Sequence, residues 1–206
     1  MTIDAQEVKD LRVRTGAGIM DCKEALLESG GDVEQAVDFL RKKGIARAEK
    51  KAGRQADQGV VLSYIHPGNR IGVLVEVNCE TDFVAKTDDF QGFVKDVAMQ
   101  IAATNPLSLS RDGMDGSMVE KEKEIFTEQA KDSGKPDNII EKIVEGRLEK
   151  FYQENCLLEQ PFIKDGDKSV QDILTEIIAT LGENISVSRF SRYEVGEALS
   201  SNGKAD

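Results

Sequence analysis

The chain has 206 residues, of which 39% are hydrophobic and 32% are charged, with a formal net charge of −11. This balance is typical of a water-soluble globular chain of one domain, or of one domain with a small satellite. The excess of acidic residues argues against nucleic acid wrapping as the main role, because Lys and Arg supply most of the affinity for phosphates. We therefore expect protein partners and no direct contact with nucleic acid.

The start of the chain carries Asp4, Glu7 and Asp10 and lacks the basic and apolar regions of a secretory signal. No apolar run approaches the ~20 residues that span a bilayer. These features predict a cytoplasmic protein with no membrane partner.

Metal and thiol chemistry receive little support from the residue types. The chain has one histidine and three widely spaced cysteines, too few soft ligands for a structural zinc site. No phosphate-binding glycine motif is present. We expect no metal and no cofactor. A thiol hydrolase using Cys79 is a remote alternative, because a strand would separate Cys79 from His66 by ~30 Å.

The first part of the chain predicts three short helices. Residues 1–54 hold 11 basic and 10 acidic residues, whereas the remainder holds 16 and 28. The first helix spans residues 4–14, and Asp21 is predicted to cap a second helix over residues 22–29. Asp32 is predicted to cap a third helix, whose buried face has the spacing i, i+3, i+4, i+7 and consists of Val33, Ala36, Val37 and Leu40.

The most basic stretch of the chain follows, at residues 41–54. We interpret it as a solvated helical linker that completes a first domain over residues 1–54. A phosphate-contacting strip is the less favoured alternative, because no aromatic residues are interleaved with the charges.

Residues 55–199 predict an α+β core. β-Branched runs at 60–65 and 71–77 flank the turn His66–Arg70 and indicate an antiparallel hairpin. Asp88 and Gln91 resemble a capping box for a helix that stops before Asn105. A helical hairpin is predicted at about 117–154, with a break at 134–136, and is followed by a helix at 169–181 and a strand at 185–195. Residues 200–206 are predicted to be a frayed tail.

The predicted fold class is thus α+β: a small N-terminal three-helix domain, then an antiparallel sheet with packed helices and a helical hairpin. Within it, residues 78–85 form a loop directly after a strand, a place where rigid scaffolds present binding residues. The residues alone leave two alternatives open. In one, Phe83 and Val84 fill the core and Asp82 caps a short helical turn; in the other, the segment is an exposed binding loop.

Two long segments carry a resemblance to a known family. The sequences LR at 11–12 and TGAGIMDCKEAL at 15–26 resemble the N-terminal signature of bacterial and organellar elongation factor Ts. The segment VEVNCETDFVA at 75–85 resembles that family's second and more diagnostic signature. The likeness extends over essentially the whole chain, through GGD at 30–32, LRKKG at 40–44, GKP at 134–136, IVEGRL at 143–148 and CLLEQPF at 156–162.

The resemblance implies a guanine-nucleotide exchange factor without covalent chemistry, acting on elongation factor Tu in its GDP-bound and nucleotide-free states. It implies a first domain similar to ubiquitin-associated domains and a core of the dimerisation type. The compartment implied is the bacterial cytoplasm, or the plastid stroma if the gene is organellar.

The resemblance also implies the site residues. In the family, the segment matching Thr81, Asp82, Phe83 and Val84 enters a cleft of the GTPase beside its Mg²⁺ site and dislocates the metal. By position, a secondary partner contact falls on Arg12, Ile19 and Met20, although a buried role for the two apolar residues is equally open.

Two further expectations concern partners. The chain matches the short form of the family, with one clear hairpin, so an exposed sheet edge could be covered by a second copy in a homodimer or in a two-plus-two complex with the partner. The alternative function is an adaptor that binds ubiquitin-like or ribosomal partners through the three-helix domain. An adaptor would tolerate the loss of Phe83, whereas an exchange factor would not.

Overall fold

The computed structural model describes residues 3–132 and 134–197, and over these residues helices dominate. In chain order the elements are α1 (Ala5–Thr15), α2 (Ile19–Glu28), α3 (Val33–Lys51), β1 (Gln58–Ile65), β2 (Ile71–Cys79), α4 (Asp82–Ala85), α5 (Asp88–Thr104), α6 (Gly116–Lys131), α7 (Asp137–Asn155), β3 (Pro161–Phe162), β4 (Asp165–Ser169), α8 (Val170–Leu181) and β5 (Ile185–Glu194). The α+β fold class is confirmed. The predicted tail at 200–206 lies outside the described residues.

The three N-terminal helices pack on a small apolar core. Asp4 caps α1 with Glu7 in a capping box, and Asp32 caps α3 as predicted. The core side chains come from all three helices: Val8, Leu11, Cys22, Ala25, Leu26 and Ala36. Val33, predicted to be buried, is 40% exposed because it opens α3 at the edge of this core.

The prediction that Asp21 caps α2 is wrong. The helix starts at Ile19 with Gly18 as the N-cap, which leaves Asp21 in the first turn. There its carboxylate accepts two hydrogen bonds from Arg47, at 2.9 and 2.8 Å, and pairs with Lys43 at 2.9 Å. The Arg47 hydrogen bonds, assisted by Lys43, lower the pKa of Asp21. Asp21 thus ties α2 to α3 instead of satisfying backbone N–H groups.

The basic stretch is helical as far as Lys51, and much of it is engaged within the chain. Arg41 pairs with Asp172 of α8 at 2.9 Å. Gly44 is buried against the same helix, since a Cβ added there would lie 3.5 Å from the Ala179 Cβ. This part of α3 is therefore a packed element as well as a connection.

Strands β1, β2 and β5 form one sheet in the order β1-β2-β5. The predicted hairpin turn is present: the His66 N–H donates to Ile71 O at 2.9 Å, and Asn69 adopts a φ of 57°. Gly59 has a φ of 141°, and a Cβ at this position would lie 2.2 Å from Val77 O, so only glycine fits here. Val73, Val75 and Val77 fill the core face of β2.

The remaining helices follow the predicted order, with one correction. Helices α6 and α7 form the predicted pair around Ala130, Ile140 and Val144. The predicted capping box at Asp88 is wrong, because Asp88 is the first residue of α5 and the hydroxyl of Thr87 accepts the Phe90 N–H at 3.3 Å. The short antiparallel pair β3–β4 was not predicted.

By internal contacts the chain divides into two compact units. The first comprises Met1–Val60, Val77–Phe93 and Gln171–Ser186; the second comprises Val61–Glu76, Val94–Val170 and Val187–Asp206. The sequence-based boundary at residue 54 stays a prediction. Over the described ranges, no helix combines the length and apolar character needed to cross a bilayer.

Candidate functional site

The segment after β2 forms a single exposed helical turn. Thr81 is the N-cap of α4, and its Oγ1 accepts a hydrogen bond from the Val84 N–H at 3.4 Å. Phe83 is 80% exposed, whereas Ala85 is buried two residues later. The alternative in which Phe83 fills the core is therefore wrong. The turn presents an aromatic ring to solvent from a fixed base.

Asp82 does not cap the turn; that role belongs to Thr81. The Asp82 carboxylate instead accepts a hydrogen bond from Lys86 Nζ at 2.7 Å, one turn further along the chain. Its side chain is about half exposed, so this ion pair is weak and its charge can be shared with an incoming group. Val84 is half-buried and its carbonyl accepts the Thr87 hydroxyl at 2.8 Å.

The base of the turn is held from a distant part of the chain. Glu183 accepts the Thr81 N–H at 3.0 Å and the Thr81 hydroxyl at 2.6 Å. Next to it, the Asn184 N–H donates to Glu80 at 2.6 Å, and this hydrogen bond lowers the pKa of Glu80 with help from nearby Arg54. Glu80 and Thr81, which precede the turn that exposes Phe83, are thus each hydrogen-bonded to the segment after α8.

Sequence reasoning did not single out Glu183 or Asn184. Both follow the end of α8 and lie about a hundred positions from their partners, at separations of 102 and 104 residues. Nothing local in Gly182-Glu183-Asn184 signals that pairing.

The other predicted contact residues lie on α1 and α2. Gly16, with a φ of 68°, ends α1, and the chain turns into α2 at Ile19. Ile19 and Met20 are 56% and 71% exposed, and Arg12 is exposed as well. A buried role for Ile19 or Met20 is therefore wrong. These residues and the Phe83 turn belong to the same compact unit.

Cys79 is a poor nucleophile in this setting. It is fully buried, its Sγ donates to Thr81 O at 3.1 Å, and burial raises the pKa of its thiol. A raised pKa keeps the sulfur protonated, the unreactive form. Among the residues that the structure describes, no group of three or more His, Cys, Asp or Glu side chains could hold a metal ion.

Comparison with known proteins decides the family. Residues 33–197 match the family model described as Elongation factor TS. The chain belongs to the elongation factor Ts family.

Relatives in this family match almost end to end. Elongation factor Ts of Geotalea daltonii is 64% identical over 199 residues, which cover 97% of this chain and 92% of the relative. The protein of the same name from Desulforamulus reducens is 64% identical, covering 96% and 91%. That of Caldanaerobacter subterraneus is 61% identical, covering 96% and 98%.

Membership of the elongation factor Ts family makes the chain a translation elongation factor, with a role in protein biosynthesis. The family model includes the turn from Thr81 to Val84 but begins after Arg12, Ile19 and Met20.

Proposed function

We propose that this member of the elongation factor Ts family is a guanine-nucleotide exchange factor for elongation factor Tu, and that it carries out no covalent chemistry. The observation that carries the proposal is the 80% exposure of Phe83 on a turn whose base is bonded to Glu183. Hydration of an exposed aromatic ring is unfavourable in the free protein. A ring held on a fixed base is therefore suited to enter an apolar pocket of a partner.

The turn is proposed to act by displacing groups around the Mg²⁺ ion of the partner. Mg²⁺ requires near-ideal octahedral geometry and joins nucleotide phosphates to the GTPase, so shifting its surroundings weakens nucleotide binding. Phe83 acts as the wedge, Thr81 and Val84 hold it in the turn, and Asp82 brings negative charge toward the metal and phosphate site. The metal and the nucleotide belong to the partner, and the chain itself needs no cofactor.

Linkage makes the process reversible. Whatever free energy the factor removes from GDP binding, GDP removes from factor binding, at about 1.4 kcal/mol for each tenfold change in affinity. The factor therefore binds the nucleotide-free GTPase tightly and the GDP-bound form more weakly, and nucleotide entry releases it.

The first compact unit supplies a second contact in this proposal. Arg12, Ile19 and Met20 present one cation and two apolar side chains beside the start of α2, a composition suited to a protein surface. The pairing of Arg41, Lys43 and Arg47 with carboxylates reduces the positive charge that α3 can offer to phosphates. This supports a protein partner over RNA. The bacterial relatives support a site of action in the cytoplasm, or in the stroma if the gene is organellar.

A homodimer through the sheet is the second part of the proposal. Strand β2 buries Val73 and Val75 on one face and exposes Leu74 on the other. The same outer face carries the ion pair between Arg189 and Glu76, at 2.6 Å, and exposed apolar side chains at Val61, Ile65 and Tyr193. A two-fold contact would cover this face with its own copy.

The test of exchange is release of fluorescent GDP from the cognate elongation factor Tu in excess unlabelled GDP. Adding this protein should accelerate release at concentrations well below those of the unlabelled nucleotide. An unaccelerated release, with a partner shown to bind GDP, would reject the exchange function and favour the adaptor.

A further inference from the structure

Glu183 receives both hydrogen-bond donors of Thr81. The Thr81 N–H donates to Oε2 at 3.0 Å and the hydroxyl donates to Oε1 at 2.6 Å. Because the hydroxyl proton is committed to the carboxylate, the oxygen's lone pairs remain for the Val84 N–H, which lies 3.4 Å away. Within the turn that carries Phe83, the Val84 N–H therefore donates to the Thr81 hydroxyl, and that hydroxyl donates in turn to Glu183.

Glu183 is itself fixed by its neighbours. Gly182, at the end of α8, accepts a hydrogen bond from Lys51 through its carbonyl. The Asn184 side chain donates to Arg54 O at 2.7 Å, and the Asn184 N–H donates to Glu80 at 2.6 Å. The carboxylate is therefore presented by a segment that is bonded on both sides of it.

The turn needs such support because little else orients its ring. Helix α4 has four residues, far fewer than a helix needs for stability of its own. Phe83 is 80% exposed and gains no orientation from core packing. The start of the turn is also held by the buried Ala85, by the Asn184 N–H on Glu80 and by the Cys79 thiol on Thr81 O. The bonds to Glu183 engage both hydrogen-bond donors of Thr81, the residue that caps the turn.

We propose that Glu183 is a positioning residue for nucleotide exchange, acting through Thr81 to hold Phe83 in its productive orientation. This inference rests on the proposed function, in which Phe83 is the group that enters the partner. Glu183 touches Thr81 and contributes by preorganisation: a wedge held before the encounter loses less conformational freedom on binding.

The central test compares Glu183→Gln with Glu49→Gln. The first change keeps the volume of the side chain but places an NH₂ group against one of the two Thr81 donors. The second removes the same charge from an exposed position on α3 and serves as the matched control. We expect Glu183→Gln to reduce the maximal rate of GDP release from elongation factor Tu about tenfold, since hydrogen bonds to charged groups are among the strong ones. The control should match the wild type.

Two further measurements separate positioning from general stability. Amide hydrogen exchange at Thr81 and Val84 should become faster in Glu183→Gln, while the melting temperature of the whole chain shifts by only a few degrees. In a Phe83→Ala background the Glu183 change should cause little additional loss of exchange rate, because its effect passes through that ring. Should Glu183→Gln fail to fold, Thr81→Val replaces it with the same expected loss, because this change removes the hydroxyl that donates to Glu183 and accepts the Val84 N–H.

Each outcome decides one of the two proposals. An active wild type with an equally active Glu183→Gln variant, or with unchanged protection at Thr81 and Val84, overturns the positioning role and leaves the proposed function standing. Additive losses in the double variant also overturn it. An inactive wild type rejects the proposed function together with the role of Glu183 in it, and the amide measurement then still reports whether the bonds hold the turn.

Discussion

Cys79 and Phe83 lie at opposite ends of one short segment and meet opposite surroundings. The thiol is fully buried, and burial raises its pKa, as it does for Cys22 and Cys156. The ring is exposed on the turn that Thr81 caps, whereas Ala85, two residues later, is buried. Two apolar side chains of one short turn thus lie on opposite sides, Phe83 toward solvent and Ala85 toward the core.

The buried thiols predict a loss of stability at alkaline pH. The folded chain keeps these protons to a higher pH than the unfolded chain does. Their contribution to the free energy of unfolding is therefore constant below the ordinary thiol pKa of about 8.5 and falls as the pH rises above it. Scanning calorimetry between about pH 8 and pH 10 should show a falling melting temperature, with a smaller fall for Cys79→Ala. An equal fall in the two proteins would contradict this assignment.

At the scale of the elements, a buried glycine lies where α3 packs against α8. Gly44 is buried and faces Ala179 of α8 at a distance that accommodates one methyl group. Around this contact, Arg41 pairs with Asp172, and Lys51 bonds the carbonyl of Gly182. Helix α3, part of which the sequence predicted to be a basic linker, therefore helps to fix the segment after α8 that holds the Phe83 turn.

Substitution of Gly44 tests this packing. Gly44→Ala should leave the melting temperature unchanged or raise it, because alanine is favoured in a helix by about 1 kcal/mol and its Cβ meets ordinary contact distances. Gly44→Leu should lower stability by about 1–3 kcal/mol, since the larger side chain must separate α3 from α8. Chemical denaturation measures both. A leucine variant as stable as the alanine variant would show that the two helices are not in close contact.

The sequence predicted elements better than connections between them. The outer bounds predicted for the helical hairpin, 117 and 154, lie within one residue of the start of α6 and the end of α7, and the predicted break at 134–136 lies between the two helices. The role of Asp21 was mistaken, because an acidic residue near a helix start is equally suited to a cap and to an ion pair with Arg47. The bond from Thr81 to Glu183 joins residues 102 positions apart, and no local pattern encodes it.

For the whole molecule, charge and apolar surface are distributed differently. Although the net charge is −11, helix α3 is basic, and its cationic side chains are partly neutralised by ion pairs with carboxylates of the same chain. The outer face of the sheet, in contrast, exposes Leu74, Val61 and Tyr193 together. Grouped exposed apolar side chains mark interaction sites, and our proposal assigns this one to a second copy of the chain.

The proposed homodimer can be disrupted at the centre of that face. Leu74→Lys places a charge on the outer side of the middle strand, where two copies of the same charge would meet across a two-fold axis. We expect light scattering to give a dimer mass for the wild type at micromolar concentrations and a monomer mass for the variant, with unchanged circular dichroism. A monomeric wild type across that range would reject the dimer.

Phe83 is the residue on which the proposed nucleotide exchange depends most directly, and one measurement isolates its contribution. The rate of GDP release from elongation factor Tu is compared for the wild type, for Phe83→Ala and for Leu107→Ala, a control that trims another exposed apolar side chain. We expect Phe83→Ala to stay folded and to lose about tenfold or more of the acceleration, while Leu107→Ala retains it. Full acceleration by a folded Phe83→Ala variant would contradict the central claim that this ring carries nucleotide exchange.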